Sequence, residues 1–283
     1  MIEENKILVP PIKCQGIKTK LVPFIAEHFT PTDTATWIEP FMGSGVVAFN
    51  ILPKKAILCD KNQHLINFYS QIQAGTITHE VVRSFLEYHG EKLREGGAEY
   101  YKFMRDEFNK NHEPLYFLFL NRSDFNGMIR FNKNGNFNVP FCQKPDRFAK
   151  SYITKIVNQV KKVEKIIKTH NWKFVCCDWR QAFDFAEPGD YIYLDPPYIG
   201  RDTSYVGEWP EEDAVELANY SHKTKANVCL SMWKENEFRK NEHLYKYWSD
   251  FDWYEQNHFY HFGGKEDNRH PMMEILAIRR NNS

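Results

Sequence analysis

The feature that most constrains this chain is a series of short apolar runs, each stopped by an acidic residue or a glycine turn. "TATWIEP" reads as a strand, "FMGSG" as the turn after it and "VVAFNIL" as the helix it feeds. "KAILCD" follows and ends on Asp60, "KFVCCD" ends on Asp178, "YIYLD" ends on Asp195, and "ANVCLSMW" and "MMEILAIRR" complete the set. Runs of four to eight apolar residues alternating with helical patterns predict an α/β fold, a doubly wound and mostly parallel sheet with helices on both faces. The stretch from about Gly75 to Lys165 breaks that rhythm and is rich in Phe, Tyr, Asn, Lys and Arg. It reads as an insertion, which gives one unit from residues 1–74 and 166–283 and a second from 75–165.

Composition matters chiefly for what it excludes. With 42% hydrophobic residues the chain can bury a full core, and no uninterrupted apolar segment is long enough to span a bilayer. No basic, apolar and small-residue leader pattern opens it, so a soluble cytoplasmic protein without a membrane partner is expected. The six cysteines contain no Cys-x-x-Cys pair, so neither a disulfide framework nor a zinc site is expected, and no metal is assigned. The formal net charge is zero, but it is unevenly spread. Nine Lys or Arg lie between Lys144 and Lys173 against Asp146 and Glu164, whereas "GEWPEEDAVELANY" is acidic. The basic run carries Ile156, Val160, Val163 and Ile167 at helical spacing, so by itself it reads first as a solvated helix face.

Open α/β sheets bind ligands at the carboxyl ends of their strands. "EPFMGSG" puts Gly43 and Gly45 in the tight turn after the first strand, where a missing side chain lets a ligand approach the backbone. Asp60 follows about twenty residues after that strand, the separation at which an acid accepts hydrogen bonds from ribose hydroxyls. These features indicate a nucleoside-containing cofactor. There is no full Gly-x-Gly-x-x-Gly and no Gly-Lys-Ser/Thr phosphate loop, which disfavours NAD and ATP.

"DPPY", Asp195 to Tyr198, narrows the chemistry. The exocyclic nitrogen of adenine is a poor nucleophile because its lone pair is delocalised into the ring. A carboxylate and a backbone carbonyl that accept its two N–H bonds localise that pair and aim it at an electrophilic methyl. Asp195 and the Pro196 carbonyl suit these roles, Pro197 stiffens the turn, and Tyr198 offers a face for an extruded base.

At this point the chain resembles the Dam-type N6-adenine DNA methyltransferases, in which target recognition is inserted between the cofactor-binding and catalytic motifs. "PPIKCQGIKTKLVPFI" is similar to the family's N-terminal cofactor segment at Gly16 and Lys18, and departs from the usual Trp-Ala-Gly-Gly at Cys14 to Ile17. The resemblance implies S-adenosylmethionine as cofactor, with Glu39, Pro40, Phe41, Gly43 and Gly45 in the glycine motif, Asp60 as the ribose acid and Asp178 as the acid facing the cofactor's adenine. It also implies double-stranded DNA as partner, a Rossmann-like methyltransferase fold and, in many such systems, a cognate restriction endonuclease. "FLFLNRSDFNGMIRFNKNGNFNVPF" is similar to the family's DNA-reading hairpin almost word for word, which points to GATC as the site.

The same stretch can be read from its residues. Asn134-Gly135 is a two-residue hairpin signal that calls for positive φ at both positions. A ribbon carrying Arg122, Arg130 and Lys133 fits a major groove, where arginine contacts guanine O6 and N7 together. By resemblance Arg130 is the guanine reader, Phe125 and Asn126 lie by the vacated base position, and Met128, Asn132 and Pro140 complete the DNA face. Three alternatives remain. N4-cytosine methylation also needs an exocyclic amine, but more often shows Ser in place of the leading Asp. Methylation of a protein glutamine is disfavoured by Asp195, because similar enzymes carry Asn there. A non-catalytic DNA-binding module is the third. C5-cytosine chemistry is excluded by the absence of a Pro-Cys nucleophile.

Overall fold

The computed structural model describes residues 7–198, 209–236, 239–259 and 271–281. Ile199 and Gly200, after the DPPY turn, and Gly207 and Glu208, which open the acidic run, lie outside the described residues. In chain order the elements are α1 (Val22–His28), β1 (Thr36–Glu39), α2 (Ala48–Ile51), β2 (Lys55–Asp60), α3 (Gln63–Ala74), α4 (His79–Asn111), α5 (Pro114–Ser123) and α6 (Lys150–Thr169). They continue with β3 (Asn171–Cys176), α7 (Trp179–Phe183), β4 (Tyr191–Leu194), α8 (Glu211–Lys223), β5 (Asn227–Asn236), β6 (Arg239–Lys240), α9 (Glu242–Tyr247), β7 (Asp252–Phe259) and β8 (Pro271–Arg279).

The strands form one sheet in the order β3-β2-β1-β4-β5-β8-β7, with the short β6 paired to the end of β5. The first five are mutually parallel, whereas β8 runs antiparallel to both β5 and β7. Why the interior runs are apolar without alternation is visible in the packing, because β1, β2, β4, β5 and β8 bury both faces, whereas β3 at the edge leaves Lys173 and Cys176 exposed. Trp37, Leu58, Tyr193, Cys229 and Leu276 join one core, while Ile38, Cys59, Ile192, Val228 and Ala277 join the other. The chain builds outward from β1 through β2 to β3, then returns to the other side of β1 with β4. That reversal between β1 and β4 opens a crevice at their carboxyl ends.

The insertion shares the first core. Helix α4 bends at Gly97, where φ is 49°, and packs against α5, α6 and a 3-10 turn at Pro145–Phe148. Ile156, Val160, Val163 and Ile167 are buried as the spacing of α6 predicts, and Lys161, Lys162 and Lys165 lie exposed on its other side. Position 74/75 coincides with the left-handed cap at Gly75, whereas 165/166 falls within α6. His79 of α4 bridges Glu164 of α6 and its own neighbour Glu80, and Lys168 also pairs with Glu164. No helix of the described residues is long and apolar enough to cross a membrane.

Three local expectations need correction. The helix after the glycine turn is a single turn that ends at Leu52 with φ 57°. β3 stops at Cys176, so Asp178 caps α7 and does not end the strand. In the ribbon only Gly135 of the Asn-Gly pair has positive φ, at 76°. The Asn132 carboxamide oxygen accepts from the backbone N–H of Asn134 and Asn136, and Gly135 N donates to Asn132 O. These bonds favour a three-residue loop with a left-handed glycine over the two-residue turn.

A candidate active site at the carboxyl edge of the sheet

Three acids reach the crevice because three parallel strands end there. Glu39 closes β1 at 2% exposure, and its Oε1 accepts from Trp37 Nε1 at 2.8 Å. Burial pushes its carboxyl up to about 8, and the nearby Asp195 charge adds to the push. Asp60 closes β2 at 5% exposure, accepting from Gly43 N and Asn62 N, each at 2.8 Å. Burial raises Asp60 to about 6, although both backbone donors favour its charged form. Asp195 follows β4 and is half-buried.

The glycine turn fits beneath these acids for two different reasons. A Cβ at Gly45 meets Met42 Cε and the Phe49 ring at 2.8 Å, so packing leaves room for hydrogen alone. A Cβ at Gly43 meets nothing, but its φ of 51° is one that side chains rarely adopt. Pro40 is buried, and Phe41 lies half-buried with its ring stacked 6.4 Å from Trp179 and edge-on to Trp209. Asp178 caps α7 through Arg180 N at 3.1 Å and pairs with the Arg180 guanidinium, which also binds Asp213 and Glu216.

Lys18 ties the N-terminal segment to the catalytic turn. It is 6% exposed, and its Nζ lies 2.8 Å from Asp195 Oδ1 and 5.4 Å from the centre of the Tyr198 ring. Gly16 O accepts from the same ammonium at 3.4 Å. Ser231 of β5 also approaches Oδ1, at 3.4 Å, and is itself engaged by the Tyr193 hydroxyl. Both contacts therefore fall on one carboxylate oxygen. Pro196 is buried, Pro197 half-buried, and the Tyr198 hydroxyl donates to Glu274 Oε1 at 3.3 Å. The sequence reading missed Glu274 and Ser231. A lone glutamate inside the apolar run "MMEILAIRR" was the available signal, since a fully buried carboxylate in a central strand needs a polar reason to be there.

The predicted DNA residues divide in two. Phe125, Asn126, Asn132, Lys133 and Pro140 are exposed, and Met128 and Arg130 half-buried, along the loop and ribbon from 124 to 142. Arg122 is the exception. It lies on α5 at 3% exposure, donates to Pro11 O at 2.9 Å and Gln159 Oε1 at 3.3 Å, and stacks over Tyr152. Its placement on the ribbon is corrected: Arg122 is a buried brace between the N-terminal segment, α5 and α6. Asn121 beside it is fully buried, bonding Lys13 N and O and Gly127 O, and so fixes the base of the ribbon five residues before Lys18. These residues come from four segments of the chain, and the fold puts them within reach of one another.

Comparison with known proteins places the chain in a family. A family model described as D12 class N6 adenine-specific DNA methyltransferase matches residues 15–262. The Type II methyltransferase M1.LlaDCHI of Lactococcus lactis subsp. cremoris is 28% identical over 100% of this chain and 99% of its own length. A DNA adenine methylase of Vibrio cholerae serotype O1 is 31% identical over 78% of each chain. The Type II methyltransferase M.MjaIII of Methanocaldococcus jannaschii is 30% identical, covering 76% of this chain and 79% of its own.

Proposed function

The chain belongs to the D12 class N6 adenine-specific DNA methyltransferases, and from that premise we propose that its cofactor is S-adenosylmethionine and that Asp195 and Tyr198 present the target base. N4-cytosine methylation and a non-catalytic DNA-binding role give way to the adenine-specific family. When bound, the cofactor supplies a methyl group made electrophilic by its sulfonium. The crevice suits such a ligand, with open space over Gly43, a buried acid at Asp60, the Phe41 and Trp179 rings, and Asp178 beyond them.

The observation that carries the mechanism is the double engagement of Asp195 Oδ1 by Lys18 and Ser231. Those contacts occupy Oδ1 and fix the plane of the carboxylate, a group that accepts hydrogen bonds. Oδ2 is the oxygen we assign to one N–H of the adenine amine, and the Pro196 carbonyl takes the other. Together they would localise the nitrogen lone pair and turn it towards a methyl donor held in the crevice. Tyr198, held through its hydroxyl by Glu274, stacks on the flipped base. Arg130, Phe125, Asn126, Met128, Asn132, Lys133 and Pro140 form the face we assign to duplex DNA, with Arg130 reading a guanine. The Type II names of two relatives favour a cognate restriction endonuclease as partner, in the cytoplasm where the DNA lies.

Incubation with labelled S-adenosylmethionine and duplexes carrying GATC or its single-base variants, followed by modified-base sequencing, tests the reading. Label on adenine N6 at one motif is the expected result. Failure of unlabelled S-adenosylmethionine to bind at all overturns the cofactor assignment.

A further inference from the structure

We infer that Asn138 is a positioning residue that sets which edge of the Arg130 guanidinium meets the base, an inference that rests on Arg130 as the guanine reader. Arginine has five N–H donors in a planar fork and can meet guanine either side-on, through Nε and one Nη, or end-on, through both Nη atoms. Here Arg130 Nε donates to Asn138 Oδ1 at 2.7 Å and Nη2 to Asn138 O at 3.0 Å. The side-on edge is therefore taken. What remains is the end-on pair, one N–H on Nη1 and one on Nη2, in the plane that Asn138 imposes.

Asn138 can impose it because its own strand is anchored. On either side, Phe137 and Val139 are buried, and both attach to α4. Phe137 N donates to Asn109 Oδ1 at 2.8 Å and Phe137 O accepts from Asn109 Nδ2 at 3.2 Å, while Tyr101 donates to Val139 O at 2.9 Å. Alternation along an extended strand then puts Asn138 on the other face, where it also donates its backbone N–H to Arg130 O at 3.1 Å. The arginine hangs from the fixed strand of the ribbon, so little ordering is left for the moment of DNA contact.

The full-length enzyme decides this through methylation rates on the preferred duplex and each single-base variant of it. Arg130→Ala is expected to relax one guanine position. Asn138→Ala is expected to relax that same position by roughly tenfold, the worth of one hydrogen bond to a charged group, with the cofactor KM unchanged. Asn138→Asp keeps the acceptor and is expected to restore the discrimination; a merely structural role predicts no such rescue. If Arg130→Ala leaves the ranking of sites unchanged, the reading of Arg130 fails and the inference falls with it. If Arg130→Ala relaxes one position but Asn138→Ala relaxes none or another, or Asp fails to rescue, the inference alone is overturned. Should Asn138→Ala not fold, hydrogen exchange at Arg130 Nε–H in the unmodified protein decides, slow exchange supporting the inference and exchange as fast as in free arginine overturning it.

Discussion

The sheet edge and the ribbon from 124 to 142 solve the same problem, holding a polar group still, by opposite routes. At the edge, Lys18, Asp195, Ser231 and Glu274 arrive from distant parts of the chain and are buried or half-buried when they meet. In the ribbon, Arg130 and Asn138 are eight residues apart, and Asn132 organises the loop between them. The edge depends on the whole fold, so its geometry cannot drift without loss of rate. The ribbon depends on local bonds and a few anchors on α4, so specificity can change while the catalytic edge stands.

The largest effect expected from that contrast is at Asp195. Asp195→Ala removes the acceptor we assign to the amine, and methyl transfer is expected to fall by about 1,000-fold, as for removal of one preorganised electrostatic group. Cofactor affinity, measured by titration, is expected to stay nearly constant, because we assign Asp195 to the base and not to the cofactor. Near-normal turnover in the mutant would break the assignment of chemistry to the edge.

Arg122 sharpens the boundary between the two regions. Named from sequence as a DNA contact, it is a buried brace, and Arg122→Ala leaves the Pro11 carbonyl and Gln159 without their donor. A loss of about 2–4 kcal/mol in unfolding free energy is expected, in the range for breaking a buried polar network. Denaturant titration measures it. Unchanged stability with selective loss of DNA binding would return Arg122 to the interface.

Asp60 comes next. If Asp60 holds the ribose as proposed, Asp60→Ala removes charge-assisted bonds worth about 1.5–3 kcal/mol each, and S-adenosylmethionine is expected to bind roughly 100-fold more weakly. The pH dependence carries a sign. Because burial raises Asp60 to about 6, the cofactor-free protein takes up a proton as pH falls through 6 and loses the carboxylate we assign to a ribose. Affinity in the unmodified protein should therefore decline between about pH 7 and 5. A carboxyl at the ordinary value near 4 leaves it flat over that window. Isothermal titration at several pH values distinguishes the two.

What the sequence made legible follows the same division. The interior parallel strands bury both faces, so their apolar runs stood out, and Glu39, Asp60 and Asp195 at their ends marked the crevice. β7, "DWYEQNHF", escaped because a strand at the sheet's edge mixes polar residues with its aromatics and lacks such a run. Glu274 escaped because its partner Tyr198 lies 76 residues away. Arg122 was misplaced because a motif preserves order along the chain and says nothing of which residue points inward. The turn was misread because Asn132, outside the Asn-Gly pair, supplies the bonds that select its conformation.

The smallest effect expected is on α6, and it separates holding DNA from reading it. Lys161 and Lys162 are exposed on a helix whose opposite face is buried, so neutralising them costs the core nothing. If they face phosphate, Lys161→Gln with Lys162→Gln should weaken binding to every duplex alike, by a few-fold at moderate salt, because phosphate contacts carry no sequence information. The slope of log affinity against log salt should become shallower by about 0.9 for each contact removed. Arg130→Ala, by contrast, should change the ranking of sites and leave most of that slope intact. Filter binding across a salt series, on the preferred site and on a scrambled duplex, measures both quantities at once. Loss confined to the preferred site would make α6 part of the reader, and an unchanged slope would make its basic face a solvated surface with no part in holding DNA.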